Sequence, residues 1–531
     1  MQNALWWQRG VIYQIYPRSF QDSNNDGIGD LKGILQRLDY LVQLGVDAIW
    51  ISPIYPSPMA DFGYDVSNYC DVAPIFGTLA DFDCLVTEAH TRRLKVILDF
   101  VPNHTSDQHP WFSESRVSRD SARRDWYLWR DPDSNGGPPN NWLSHFGGTA
   151  WEWDSTTRQY YYHSFLKAQP DLNWRNPAVR KAMYDVLRFW LDRGVDGFRV
   201  DVLWLLIKDD QFRDNPQNPG FTPSMSSHSR LLPLYTANRP EVHQIVREMR
   251  SVLDVYPDRV LIGEIYLPIE QLVSYYGSDL KGAHLPFNFQ LIEAPWSAYG
   301  IARIIGEYEA ALPPGAWPNW VLGNHDKARI ASRVGVAQAR NAAMLLLTLR
   351  GTPTLYYGEE IGMVDAQIPP EMVQDPAEKN EPGLGLGRDP QRSPMLWDSS
   401  SFAGFTNETP WLPLARNHQN ANVATLWESV NSILNLYSRL ITLRRSSRAL
   451  AAGRIEAVSA HGNVLRYRRR QSEEIFEIVL NLSNDPQELP DLSGEIILST
   501  YLDRKDERIS DKFIIRAAEG LIILLSGETD S

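Results

Sequence analysis

Gly197-Phe-Arg-Val-Asp201, Leu261-Ile-Gly-Glu264 and Val321-Leu-Gly-Asn-His-Asp326 decide the fold of this 531-residue chain. Each is a short apolar run closed by a carboxylate, and reads as a buried parallel strand with an acid at its C-terminal end. Glu264 follows Asp201 by 63 residues and Asp326 follows Glu264 by 62, which leaves room for one or two strand-helix units between each pair. That rhythm predicts a (β/α)8 barrel, in which functional groups project from the C-terminal ends of several strands. A single acid at a strand end is an ordinary cap or ion-pair partner. Three of them, one preceded by Arg199 and one by His325, read as a site. Two carboxylates flanking a bond, one donating a proton and the other attacking or serving as base, are what glycosidic cleavage needs.

Working outward, eight runs predict barrel strands: Val11 to Ile15, Ala48 to Ser52, Val96 to Val101, Gly197 to Val202, Val260 to Glu264, His284 to Phe289, Trp320 to Asn324 and Thr354 to Tyr357. Helical patterns alternate with them. After Asn176-Pro177, a cap followed by a first-turn proline, Val179, Met183, Val186, Leu187, Trp190 and Leu191 form an apolar stripe that stops before Gly194. Val430, Leu434, Tyr437 and Ile441 predict the last barrel helix. Two stretches break the rhythm. Residues 104–171, with a dense aromatic set, predict a subdomain inserted after the third strand. Residues 362–420, rich in Pro and Gly, follow the eighth. Their Gly383-Leu-Gly-Leu-Gly387 run precedes no clear helix, which favours an active-site loop over a phosphate loop. The predicted division is a catalytic barrel of residues 1–103 and 172–451, subdomain 104–171, and a C-terminal all-β sandwich from 452 to 531, with short β runs such as Val464 to Tyr467, Ile475 to Leu480 and Leu521 to Leu525.

Composition narrows the partners. A net charge of −13 argues against nucleic acid and anionic membranes, which require a basic face. Eighteen Trp and 23 Tyr supply flat faces that suit sugar rings, or simply pack the core. With only Cys70 and Cys84 there is no disulfide framework, and free thiols are expected. The first residues, Met-Gln-Asn-Ala-Leu-Trp-Trp-Gln-Arg, lack the pattern of a secretory leader, and no run of about 18 apolar residues occurs. A cytoplasmic protein without membrane or nucleic-acid partners is expected, as a monomer or homo-oligomer.

Asp99-Phe-Val-Pro-Asn-His104, Gly197-Phe-Arg-Val-Asp201, Gly263-Glu-Ile265 and Asn324-His-Asp326 appear in an order that resembles the α-amylase family, family 13 of the glycoside hydrolases, and within it the small exo-acting α-glucosidases. Gln169-Pro-Asp-Leu-Asn173 is similar to the stretch that closes the inserted subdomain in the oligo-1,6-glucosidase branch. The resemblance implies a retaining exo-α-glucosidase that releases α-glucose from the non-reducing end of maltose-, isomaltose- or sucrose-type glucosides. It makes Asp201 the nucleophile, Glu264 the general acid and base, and Asp326 the transition-state stabiliser. It also makes His104 and His325 ligands of sugar hydroxyls, and places Tyr64 under the terminal glucose. Asp61 and Arg392 then close the far end of the pocket. Val202 accompanies α-1,6 preference in related enzymes, although a residue beside a strand end also serves plain barrel packing. On an alternating strand Arg199 shares a side with Asp201 and is expected to hold its pKa down, while neighbouring carboxylates are expected to raise Glu264. Retention calls for carboxyl groups about 5 to 5.5 Å apart.

Asp22-Ser-Asn-Asn-Asp-Gly-Ile-Gly-Asp30 sets oxygen side chains at alternate positions, as in a loop folded around a hard cation. It is no EF-hand, because the twelfth position is Gly33. The resemblance implies one structural Ca2+ or Mg2+ held by Asp22, Asn24, Asp26, the Ile28 carbonyl and Asp30. Two other readings stay open. A transglucosylase or sucrose isomerase would use the same covalent glucosyl-enzyme, though the Arg-Leu-Asp-Arg-Asp run common among the isomerases is absent. A non-catalytic carbohydrate-binding relative would have lost the three carboxylates, which are present.

Overall fold

The computed structural model describes residues 5–490, 492–509 and 512–525; the outermost residues of the predicted first and last domains lie outside them. Eight parallel strands form a (β/α)8 barrel: β1 (Ile12–Ile15), β2 (Ala48–Ile51), β3 (Lys95–Phe100), β4 (Gly197–Val200), β5 (Val260–Gly263), β6 (Leu285–Pro286), β7 (Asn319–Val321) and β8 (Thr352–Tyr356). They are ordered β7-β8-β1-β2-β3-β4-β5-β6. All eight lie within the predicted runs or one or two residues from them.

Alternation along the strands sorts the side chains into two sets. Tyr13, Ile15, Ile49, Ile51, Val96, Leu98, Phe198 and Leu261 belong to the large core shared with the surrounding helices. Ile12, Ala48, Trp50, Ile97, Val260, Ile262 and Val321 make a second core. Continuing that second set by two residues brings in Gln14, Asp99 and Glu264, with Arg199 in register beside Asp99, all buried. The pleat that packs the barrel therefore also aims the polar residues at its C-terminal mouth.

No ladder joins β6 to β7 among the described residues. Pro286 has no N–H to donate, and β6 is only two residues long. The Asn319 side chain spans the gap instead: its Oδ1 accepts the Asn288 N–H at 3.0 Å and its Nδ2 donates to the Pro286 carbonyl.

The helix Pro177–Asp192 forms as its pattern predicts, with the Asn176 side chain accepting from Ala178 N and all six stripe residues buried. The last barrel helix differs. It runs Ile433–Ser446, capped by Ser432, so Val430 lies outside it and is 67% exposed. Residues beyond 104 leave the barrel as a separate excursion, with a helix Pro110–Val117 and a three-stranded antiparallel sheet of Trp129–Arg130, Gln159–Tyr162 and Trp151–Asp154. Trp142, Trp151 and Tyr162 form its small aromatic core. A bridge between His104 and Asp171 closes the neck of this excursion.

The C-terminal part is a six-stranded antiparallel sheet, in spatial order Arg454–His461, Val464–Gln471, Glu474–Asn481, Gly520–Leu524, Gly494–Ser499 and Glu507–Ile509, with a two-stranded sheet of Gln487–Leu489 and Phe513–Ile515. The first and last strands of the large sheet escaped the sequence reading because they are edges, with few buried positions to set a pattern. Leu489 and Ile515 pack on one face of the large sheet. Leu465, Tyr467, Phe476, Ile478 and Ile522 are continuous with the barrel core.

Candidate active site

Arg199, fully buried at the end of β4, organises the barrel mouth. Its NH1 donates to Asp99 Oδ1 and Asp201 Oδ1, each at 2.8 Å, and its NH2 ion-pairs with Glu264 Oε1 at 2.8 Å. The indole of Trp50 lies under the guanidinium at 5.1 Å. Three acids thus converge on one cation. Burial and the facing Glu264 carboxylate raise Asp201 well above the usual carboxylate range, with Arg199 opposing. This corrects the expectation that Arg199 holds Asp201 low: the contact exists, but desolvation and the second acid outweigh it. Glu264 is also raised, by burial against Arg199 and with Asp326 adding to it. Two raised carboxyls on one guanidinium titrate as a pair and not as separate groups.

Asp326 behaves oppositely. Burial acts to raise it, but His325, Arg392, Arg388 and Arg199 together hold it far below the ordinary range. Its Oδ1 accepts from Arg392 NH2 at 2.7 Å, and Arg388 NH1 approaches at 3.4 Å. His325 is buried between Gln14, whose amide nitrogen lies 2.8 Å from Nδ1, and Tyr64, whose hydroxyl lies 2.7 Å from Nε2. Burial, opposed by Asp326 and aided by Arg392 and Arg199, lowers its imidazole to about 3. Tyr64 stacks on His325 at 5.4 Å and donates to Asp99 Oδ2 at 3.1 Å.

The far end of the mouth is shut by charge. Asp61 Oδ1 accepts from Arg388 NH2 at 2.7 Å, and Asp61 Oδ2 accepts from Gln169 at 3.2 Å. Arg388 is fixed in turn by Asp375, 2.7 Å from its Nε. His104 lies beside them, with Nε2 3.0 Å from the Tyr64 carbonyl. Val202 ends no strand: β4 stops at Val200, and Val202 adopts φ 36°, ψ 44°, a left-handed conformation that is strained for a β-branched residue. That turn points its N–H at Glu264 Oε2, 2.8 Å away. The cavity measures about 270 Å3 and its lining includes Asp61, Tyr64, His104, Asp201, Val202, Glu264, His325, Asp326 and Arg388, together with Phe146, Phe165, Trp204, Tyr266 and Lys327.

The profile of the alpha amylase catalytic domain matches residues 14–453. The chain belongs to the α-amylase family. Among curated members of the α-amylase family it is 44% identical over 523 residues to a probable alpha-glucosidase of Rhizobium meliloti (strain 1021), covering 94% of this chain and 95% of that protein. It is 40% identical over 542 residues to an oligo-1,6-glucosidase of Parageobacillus thermoglucosidasius, covering 94% and 95%. Among solved structures, the alpha-glucosyl transfer enzyme XgtA superposes with a TM-score of 0.93 at 40% identity, covering 98% of this chain and 100% of that one.

Within this α-amylase family barrel one sequence assignment changes. The sequence reading set Arg392 against Asp61, but Arg392 reaches Asp326 and the His325 carbonyl, at 2.7 and 2.9 Å, and Arg388 is the residue paired with Asp61. Both arginines follow the Gly-rich run, and Arg388 directly abuts it. Asp99 and Gln169 lie within the sequence motifs and reach Arg199 and Asp61, and Tyr266, two residues after Glu264, lines the cavity.

The loop of residues 22–30 is closed by its own hydrogen bonds. Asp22 accepts from the N–H groups of Asn24, Asn25 and Gly27 and from the Thr406 hydroxyl. Asp26 accepts from Ile28 N, and Asp30 accepts from Gly33 N and from Ser23. The donors suit a hard cation in kind, being carboxylates, an amide and a carbonyl. No group of three His, Cys, Asp or Glu converges to hold a metal among the described residues. Among those residues both cysteines are free, and no helix is long and apolar enough to cross a membrane.

Proposed function

We propose that this chain is a retaining exo-α-glucosidase that releases α-glucose from the non-reducing end of short α-linked glucosides of the maltose, isomaltose or sucrose type. One observation carries the reading: Asp201 and Glu264 meet a single buried guanidinium in a cavity whose inner end is shut by the Asp61–Arg388 pair. In this reading Glu264 gives its proton to the glycosidic oxygen as Asp201 attacks the anomeric carbon, forming a glucosyl ester and freeing the aglycone. Glu264, now a carboxylate, takes a proton from water as that water breaks the ester, so the glucose leaves with its original α configuration. Asp326, held ionised by Arg392 and Arg388, faces the positive charge that builds on the sugar ring in both steps. His104 and His325 hold hydroxyls, and the closed end admits only a terminal glucose.

The likeness to a glucosyl transfer enzyme favours a second reading, in which a sugar hydroxyl reaches the ester before water. An NMR time course on maltose, isomaltose and sucrose at high concentration separates the two. Free α-glucose appearing first supports the hydrolase, and new glucosides with little free glucose would overturn it in favour of transfer.

The loop of residues 22–30 supports a smaller proposal, that it takes up one Ca2+ or Mg2+. The support is its donor chemistry, set against a loop already closed on itself. Calcium added after EDTA treatment is expected to raise the melting temperature, and an unchanged value removes the cation. A cytoplasmic location is proposed from the paucity of cysteine.

A further inference from the structure

Lys208 stands seven residues beyond Asp201 in the loop after β4, and it is 3% exposed. An ammonium so buried needs partners. Its Nζ donates to Asn103 Oδ1 at 2.7 Å and to Asp171 Oδ2, with the ring of Tyr162 at 5.5 Å. Asp171 is itself buried and accepts from Ser164 N at 2.6 Å and Ser164 Oγ at 2.7 Å. Both charges are therefore fixed in place.

Between them lies the Asn103 amide, whose orientation is the point at issue. Its Nδ2 donates to Asp171 Oδ2 at 2.9 Å and lies 3.1 Å from His104 Nδ1. Rotating the amide by half a turn would set its NH2 against the Lys208 ammonium and its carbonyl oxygen against the Asp171 carboxylate, two repulsive contacts in a buried site. Only one orientation survives, and it presents an N–H to His104. An imidazole nitrogen can accept that hydrogen only if it carries none, so the ring proton belongs on Nε2. That nitrogen donates to the Tyr64 carbonyl at 3.0 Å, and the ring lines the cavity. Gln169 Nε2, 3.1 Å from the same nitrogen, gives one of its two hydrogens to Asp61 Oδ2 at 3.2 Å. Burial, with Lys208 adding and Asp171 and Asp61 opposing, lowers the His104 pKa, so the neutral ring and its choice of tautomer are what matter.

We infer that Lys208 is a positioning residue for the glucose pocket: through the Asn103 amide it holds His104 in the Nε2–H form, with that donor bonded to the Tyr64 carbonyl and the ring fixed against the cavity. The inference rests on the reading of this cavity as a glucoside site, but its first readout needs no substrate.

The experiment is side-chain 15N spectroscopy of histidine-labelled protein at pH 7, with His104 assigned by the signals lost in His104→Gln. The wild type is expected to show a protonated Nε2 and an unprotonated Nδ1. Asn103→Asp replaces the donor by an acceptor of the same shape and should move the proton to Nδ1. Lys208→Met frees the amide to rotate, giving a mixture of tautomers and raising KM on the preferred glucoside roughly tenfold, as for one lost hydrogen bond, with kcat less affected. Lys208→Arg should recover the wild-type tautomer and most of KM. A wild-type ring protonated on Nδ1 overturns the inference. So do Lys208→Met and Asn103→Asp proteins that both keep Nε2–H. Should Lys208→Met fail to fold, the wild type and Asn103→Asp still decide. The expected tautomer in a protein inert on every glucoside would sink the functional reading and leave this relay standing.

Discussion

Asp201 and Glu264 share Arg199, so neither titrates alone and the rate should follow the pair. On the acid side a second proton silences the nucleophile, and on the alkaline side loss of the first silences the proton donor, giving a bell-shaped profile of kcat/KM. Asp201→Ala should cut turnover by at least roughly 10^3-fold while thermal unfolding stays cooperative; retained activity would remove the nucleophile role. Val202→Thr keeps the β-branch and the strained turn, and it places a hydroxyl on the cavity wall. The isomaltose-to-maltose ratio of kcat/KM is expected to move toward maltose, and an unchanged ratio would give linkage choice to the long segment of residues 204–240 that follows β4. At this scale the sequence was legible wherever a functional residue ends its own apolar run. It was not legible for Arg388, because nothing local relates that residue to Asp61, 327 positions away. The left-handed turn at Val202 was equally hidden, since an alternating pattern continues smoothly through a residue that has left the strand.

Among the elements, the turn after β8 holds Glu359, 2% exposed and with neither carboxyl oxygen hydrogen-bonded. It packs under Gly323, where an added Cβ would lie 2.5 Å from Glu359 Oε1, just before His325 and Asp326. Burial and the adjacent Glu360, opposed by Arg333 and Arg329, push Glu359 up to about 8 from 4.5. The folded protein therefore holds a proton that the unfolded chain releases above about pH 4.5. Its contribution is complete below that pH and is lost as the pH rises to about 8. Glu359→Gln cannot ionise, so it should gain stability over the wild type across that window, levelling above pH 8 at a difference on the order of 5 kcal/mol. Denaturant unfolding at pH 5 and pH 8.5 measures this; an equal difference at both would show that the acid titrates normally. Helix and strand patterns were readable for the same reason that they pack, since buried faces leave a period. Val430 shows the limit: it keeps the i, i+4 spacing of its stripe, yet the helix begins only after Ser432, whose side chain accepts from Asn435 N. Strand β6 shows another, because Pro286 removes the ladder donor and the closure passes to a single Asn319 side chain.

Over the whole molecule, the C-terminal sheet gives one face to the barrel core, and Arg469 reaches from it to the end of a barrel helix. Arg469 donates to the Thr348 and Gly453 carbonyls, and Arg444 donates to those of Leu347, Leu349 and Gly351. Apart from Gly453, which caps the helix Arg448–Ala452, these carbonyls are those left free at and just beyond the end of the helix Val336–Thr348. Sequence runs marked a β region after the barrel, but runs carry no record of which faces touch. Calorimetry is expected to show one shared unfolding transition; two resolved transitions would mean that the continuous core does not couple the parts.

The Asp61–Arg388 closure also sets what this protein can count. In the proposed reading the cavity takes chain termini and never chain interiors, so its turnover of a mixture follows the number of molecules in solution and not their mass. Splitting a given weight of saccharide into shorter pieces multiplies the sites on offer. Upstream cleavage at internal bonds would thereby raise the flux through this enzyme without adding any sugar.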